Sequence, residues 1–281
     1  MKQQDLRIRI KESYPRFTKS EKKVADYVLA QPEEVLQATI SDLAESCGVG
    51  DTTVFRFCRT LKLKGYQDFR MVLALSTSQN LLRPSPNQEC TTLEDLCQEI
   101  LHTCVDALDE TFHMLDYGRI EKAVDLLLNA NFIYFFGMGG SGITAMEAKN
   151  KFRKLTPAVV SDADTHIQLT TAALLKEGDL AVVFSNSGTT RDAIEITRLA
   201  KEQGAGTVFI TRFAKTPGAQ YTDILLLSGA YEGPMQGGSI AAKVSQHYMV
   251  DVLYEEYFRR MGSQAIENKR RTSMVVSGKM L

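Results

Sequence analysis

The chain has 281 residues, 44% of them hydrophobic, enough for one large or two ordinary domains with real cores. Lys plus Arg is 33 and Asp plus Glu is 34, so a net charge of -1 excludes a chain that is basic throughout, and partners must be sought in how the charge is divided. Cys47, Cys58, Cys90, Cys97 and Cys104 form no Cys-x-x-Cys pair and stand at no zinc spacing with a histidine, and no apolar run approaches membrane length. A disulfide framework, a zinc site and a membrane span are therefore excluded. Met1 to Asp5 shows no apolar core of a signal peptide, and the expectation is a cytoplasmic protein with reduced thiols.

Residues 1 to 78 carry 13 basic and 10 acidic side chains, an excess that favours a polyanion at this end. From Leu6 to Leu75 apolar residues recur at helical spacing in short segments. Ser20 to Leu29 is one amphipathic helix, with Thr18 as N-cap, Glu21 three residues on to complete a capping box, and Pro32 to stop it. Ile40 to Cys47, then Gly48-Val49-Gly50, then Asp51 to Leu61 spell helix, tight turn, helix. In the second of these helices Val54, Phe57, Cys58 and Leu61 share an apolar stripe, while Thr52, Thr53, Arg56, Arg59 and the following Lys62 fall largely on the other side. Such a face meets duplex DNA with its hydroxyls and Arg56 at base edges and with Arg59, Lys62 and Lys64 at phosphates; it is equally the solvated face of a small bundle.

Two prolines and a polar run between Thr77 and Thr92 mark a linker, placed at 79–92. Leu93 to Leu115 and Ile120 to Leu128 follow as amphipathic helices. From Phe132 strands alternate with helices, at Ile133 to Phe136, Ala158 to Val160, Leu180 to Phe184, Thr207 to Ile210 and Ile224 to Leu227. Short apolar strands between helices predict a parallel sheet covered on both faces, with ligands at the carboxyl ends of its strands.

Two turns lie at those ends. The first, Gly137-Met138-Gly139-Gly140-Ser141-Gly142, leads from an apolar strand into a helix, so backbone N–H groups and a helix dipole point at whatever sits there. Gly137-x-Gly139-x-x-Gly142 also satisfies the dinucleotide-binding pattern, with Asp162 twenty residues past Gly142 where an acidic ribose ligand belongs. The second, Ser185-Asn186-Ser187-Gly188-Thr189-Thr190, crowds four hydroxyls before a helix, which suits a phosphate monoester held with no metal and no cationic side chain. A dinucleotide has no use for this second turn.

With these features the chain resembles the RpiR family of bacterial transcriptional regulators, nearly end to end. The N-terminal resemblance lies in Leu43-Ala44, Gly48-Val49, Thr53-Val54, Arg56-Phe57, Leu61 and Gly65-Tyr66-x-x-Phe69. The C-terminal one lies in Gly137-x-Gly139-Gly140-Ser141, Gly178-Asp179, Ser185-x-Ser187-Gly188-x-Thr190, Gln246 and Val250-Asp251-x-Leu253. The resemblance implies a small all-helical helix-turn-helix domain at 1–78 and a doubly wound parallel-sheet phosphosugar-binding (SIS) domain at 93–281. It further implies that double-stranded operator DNA and a phosphorylated sugar effector are the partners, in a homodimer or homotetramer with no cofactor and no enzymatic activity. Ser141, Ser185, Asn186, Ser187 and Thr190 would hold the sugar phosphate, with backbone from Gly139, Gly140 and Gly188, and Glu232 would accept from sugar hydroxyls. Gly50 departs from the serine usual in the family, which keeps a workable N-cap and removes a hydroxyl. A sugar-phosphate isomerase and an NAD(P)-dependent oxidoreductase remain as alternatives, with Glu147, His166, Glu232 and His247 the residues an isomerase would draw on. The helices Leu93 to Leu115 and Ser239 to Phe258 are the expected subunit interface.

Overall fold

The computed structural model describes residues 6–77, 92–229 and 238–277, and the chain divides between Ile100 and Leu101 into two units. The first unit is built from α1 (Leu6–Ser13), α2 (Lys19–Ala30), α3 (Pro32–Gln37), α4 (Ile40–Ser46), α5 (Asp51–Thr60) and α6 (Tyr66–Thr77). Local chemistry sets most of these boundaries. Thr18 and Glu21 form a capping box at the start of α2, and Thr39 and Asp42 form a second one at the start of α4. Pro32 takes the first position of α3, where its missing N–H costs nothing.

The turn after α4 is a Schellman closure, in which Val49 N–H donates to Ala44 O (2.9 Å), Gly48 N–H donates to Glu45 O (2.9 Å), and Gly48 takes the left-handed φ of 61°. Apolar stripes from all six helices meet in one core, where Phe57 packs between Phe17 (ring centroids 5.1 Å, tilted) and Phe69 (5.7 Å, edge-on). Thr53 belongs to that buried side, 8% exposed, which corrects its assignment to the polar face. It stands four residues before Phe57, one helical turn along the same stripe, and so turns inward with it.

The second unit carries β1 (Ile133–Gly137), β2 (Val159–Val160), β3 (Leu180–Phe184), β4 (Gly206–Thr211) and β5 (Ile224–Leu227) in one parallel sheet of order β2-β1-β3-β4-β5. Around it run α7 (Leu93–His113, its first turns in the other unit), α8 (Tyr117–Asn129), α9 (Gly140–Phe152), α10 (Thr165–Ala172), α11 (Arg191–Glu202), α12 (Ile240–Met261) and α13 (Ser263–Ser277). Alternate strand residues feed two cores. Leu180, Val182 and Phe184 face α8, α9 and α12, while Ala181 and Val183 face α10 and α11. This is the doubly wound sheet expected.

The stripe of α12 is spent inside the unit, with Met249, Val250, Leu253, Tyr254 and Tyr257 all buried in the first of those cores, so it is not free to join subunits as expected. The expected linker at 79–92 lies outside the described residues except for Thr92, and Glu232 and Cys90 lie outside them as well.

Candidate functional site

Gly137 and Phe184 are paired in register, so the turns after β1 and β3 leave adjacent strands at the same level. In the strand order β2-β1-β3 the chain reverses direction of growth here, and a crevice opens beyond the carboxyl ends. Both turns start a helix without a side-chain cap: Gly139 precedes α9 and Thr190 precedes α11, neither bonding a helix N–H through a side chain. By contrast α8, α10 and α12 are capped by Asp116, Asp164 and Ser239. At α9 the turn itself takes two of these groups, Ser141 N–H donating to Met138 O (3.1 Å) and Gly142 N–H to Gly139 O (3.1 Å), which leaves Gly140 N–H and the first N–H groups of α11 for an anion.

The first turn depends on glycine for backbone reasons. A Cβ on Gly137 would lie 2.4 Å from Ser141 O, one on Gly142 would lie 3.0 Å from Gly137 O, and Gly139 has φ 55°. The outer glycines of the dinucleotide-like pattern are thus occupied in letting the turn close on itself. Gln168, fully buried, clamps the strand end by donating to Gly137 O (3.0 Å) and accepting from Gly137 N–H (3.1 Å). Ser141 Oγ accepts from Gln246 Nε2 at 3.0 Å, which holds this half-buried hydroxyl at the mouth of the turn.

In the second turn Ser187 Oγ accepts from Thr189 Oγ1 (3.2 Å) and from Thr189 N–H (3.3 Å), and Ser185 Oγ lies 3.4 Å from Thr190 Oγ1. Ser187, Thr189 and Thr190 are half-buried, whereas Ser185 (3% exposed) and Asn186 (8%) lie inside. Asn186 O accepts from Arg212 N–H (3.1 Å) and Thr211 Oγ1 (3.1 Å), ties that brace the turn against β4. Gly188, at φ 63°, is backed by Thr216, whose Cγ2 would sit 2.5 Å from a Cβ. The expected ligand residues Gly139, Gly140, Ser141, Ser187, Gly188 and Thr190 thus meet at one sheet edge.

Several residues here were invisible in the sequence. Lys243 brings its stem within 3.9 Å of the place a Cβ on Gly140 would take, which sets a lysine of α12 beside the first turn. Its signal is faint: it lies one turn before Gln246 on α12. On the β2 side of α9 a cavity of about 590 Å³ is lined by Glu147, Asn150, Ala163 and His247, together with Gly137, Gly139 and Gly142. His247 Nδ1 lies 2.7 Å from Lys243 O, a carbonyl that can only accept, so this nitrogen donates to it and the ring is oriented by α12. Among the described residues no cluster of three His, Cys, Asp or Glu could hold a metal, and no helix is long and apolar enough to cross a membrane.

In the first unit α5 exposes Thr52, Arg56 and Arg59, and Phe55 stands with them, 47% exposed. An apolar ring among cations is a surface suited to a thymine methyl, and its signal was a phenylalanine lying off the stripe of Val54, Phe57 and Leu61. The N-cap of α5, Gly50, makes no side-chain bond, so this helix too starts open. Glu21 on α2 accepts from Thr60 Oγ1 of α5 (3.2 Å). Burial works to raise its pKa, but hydrogen bonds from Thr18 and Thr60 and the charge of Arg56 overcome it and hold the carboxyl below its ordinary range. Cys58, pushed up to about 12 by burial, is an inert packing thiol.

Lys62 is not on the helix face. It is the left-handed residue (φ 58°) of a second Schellman closure, with Leu63 N–H donating to Cys58 O at 3.0 Å and Lys62 N–H to Arg59 O at 2.8 Å.

Comparison with known proteins follows this division. Residues 4–80 match the helix-turn-helix domain of the rpiR family and residues 126–256 match the SIS domain. An uncharacterized HTH-type transcriptional regulator of Haemophilus influenzae is 33% identical over 268 residues, 94% of this chain and 93% of that protein. The HTH-type transcriptional regulator HexR of Escherichia coli is 31% identical over 264 residues, 94% of this chain and 91% of its own. Among solved structures, the Vibrio vulnificus NanR protein complexed with ManNAc-6P superposes with a TM-score of 0.88 at 29% identity, covering 98% of this chain and all of that one.

Proposed function

Because the chain belongs to the RpiR family of transcriptional regulators, with a helix-turn-helix unit followed by a SIS unit, we propose that it binds operator DNA under the control of a phosphorylated sugar. The observation that carries this reading is the pair of uncapped turns after β1 and β3, edged by Ser141, Ser187 and Thr190. Open helix N-termini with hydroxyls at hand suit the dianion of a phosphate monoester, and Lys243 adds one charge. Gly139, Gly140 and Gly188 supply backbone, Ser185 and Asn186 brace the turn from inside, and Glu232 is assigned to the sugar hydroxyls. NanR, solved with ManNAc-6P, supports this ligand class.

Residues 1–78 are assigned to operator DNA, with Thr52, Phe55 and Arg56 at base edges and Arg59 and Lys62 at phosphates. Residues 79–92 are assigned to the linker and 93–281 to the sensor. A helix-turn-helix spans few base pairs, so the working form is a homodimer or homotetramer on two half-sites, in the cytoplasm, with no cofactor. Catalytic turnover is not assigned, since the named relatives are regulators. One observation favours a second reading, isomerisation: Glu147 and His247 line one cavity and are the groups that shuttle protons between aldose and ketose.

Thermal-shift titration tests the proposal. Sugar phosphates, ManNAc-6P among them, should raise the melting temperature of the native protein, their unphosphorylated parents and NAD should not, and no aldose–ketose conversion should accompany the shift. A shift that does not need the phosphate would sink the site, and turnover abolished by His247→Ala would make the protein an isomerase.

A further inference from the structure

We infer that α7 and α13 pair between two copies of this chain, the acidic seam of one helix against the basic face of the other. Both helices end their packing before they end their length. In α7, Ala107 and Thr111 are buried against Ala241, Ala242 and Gly229, while Leu101 (60% exposed), Val105 (51%) and Phe112 (51%) look away from that contact. With the half-buried Leu108 they recur at intervals of four, three and four, the spacing of a helix-pairing seam. In α13, Ala265 is buried, Asn268 Nδ2 donates to Leu155 O (2.7 Å) and Thr272 Oγ1 to Lys154 O (3.3 Å). The opposite side carries Ile266 (62% exposed), Arg270 and Met274 (61%) at intervals of four, with Arg271 beside them.

Every residue from Lys269 to Ser277 is exposed. A helix that short, with apolar groups in water on its outer side, is marginal without a partner, and α7 leaves a larger apolar ridge in the same state.

Charge selects the partner. α7 holds Glu94, Asp95, Glu99, Asp106, Asp109 and Glu110 with no lysine or arginine, whereas α13 sets Lys269, Arg270 and Arg271 against Glu267 alone. Asp106 and Asp109 run along one flank of the seam, in a row with His102 and His113 at the same four-three-four spacing. Pairing α7 with α7 would face carboxylates with carboxylates, and pairing α13 with α13 would face guanidiniums with guanidiniums. Only the crossed pair joins apolar to apolar and acid to base. Under two-fold symmetry each copy offers both helices, so the contact is made twice and the assembly closes. The pairing rests on the oligomeric part of the reading above and is independent of what the crevice binds.

Sedimentation of the full chain decides it. Arg270→Glu with Arg271→Glu should weaken the dimer by about tenfold or more, and higher salt should weaken the parent dimer too. Asp106→Arg with Asp109→Arg alone should also weaken it, whereas an α7–α7 pair, with like charges facing before and after the change, would shift little. The four changes together should restore parent affinity to within about threefold, which an unfolded helix would not do. A parent protein that sediments as a monomer overturns both the pairing and the oligomeric regulator. A dimer indifferent to the reversals at Arg270 and Arg271, indifferent to those at Asp106 and Asp109, or not repaired by the combination overturns the pairing alone.

Discussion

The recognition helix of the first unit and the twin turns of the second both present helix N-termini without a side-chain cap, and they surround them differently. Around α5 stand Arg56, Arg59, Lys62 and Lys64, all exposed, with no hydroxyl-rich turn behind them. Around α9 and α11 stand Ser141, Ser187, Thr189 and Thr190, half-buried and partly bonded to one another, with the stem of Lys243 beside the first turn and Arg191 opening α11. Mobile cations suit a polyanion, whose condensed counterions they release. Neutral donors held in place suit one small phosphate, which geometry alone can select.

Ionic strength should separate the two most sharply. Raising salt from about 50 to about 200 mM should lower operator affinity by about a thousandfold, as expected for about six phosphate contacts per dimer. Over the same range affinity for the phosphosugar should move by about threefold or less, because a single charge in a crevice releases few ions. Fluorescence anisotropy on the operator and calorimetry on the sugar phosphate give the two slopes. Equal slopes would erase the distinction and put the grip on the sugar phosphate in Lys243 instead of the hydroxyls.

The next effect is smaller and lies within the second unit. Ser187→Ala with Thr190→Ala removes two half-buried hydroxyls of the second turn and leaves the N-terminus of α11 without a side-chain cap. Hydrogen bonds to a charged group are worth about 1.5–3 kcal/mol each, so affinity for the phosphorylated sugar should fall by about a hundredfold while binding of its unphosphorylated parent holds. Matched losses for both compounds in calorimetry would show that the turn shapes the pocket without touching phosphate.

How far these sites could be seen in advance depended on the range of the interactions that build them. The capping boxes at Thr18 and Thr39, the strand ends at Phe184 and Leu227 and the hydroxyl run at Ser185 to Thr190 are set within four or five residues, and the chain displays them openly. Thr53 was misplaced because a threonine at the edge of a stripe is polar by type and buried by angle, and only packing settles which prevails. Lys243 and Gln168 reach the first turn from other parts of the chain, Lys243 from about a hundred residues away, and no local pattern announces that meeting. The glycines at 137 and 142 were visible as a pattern, but their reason, a backbone closing on itself, appears only once the turn is folded.

The finest test of the contrast is Lys62, where a cation occupies a backbone position better suited to glycine. Its φ of 58° completes the closure of α5, and a side chain in that region costs about 1 kcal/mol relative to glycine. Lys62→Gly should therefore raise the stability of the first unit by about 0.5–1 kcal/mol in chemical denaturation while weakening every DNA sequence alike and lowering the salt slope by about one for each phosphate no longer neutralised. Lys62→Ala should weaken DNA equally with no gain in stability, since alanine keeps the Cβ that the left-handed turn disfavours. If glycine stabilises and DNA binding is untouched, the lysine is only an ill-fitting cap. If DNA binding falls and stability does not rise, the strain is absent. Both changes together mean that the first unit gives up folding free energy to hold a charge where a phosphate passes, a cost the neutral turns of the second unit do not incur because their strained positions are already glycine.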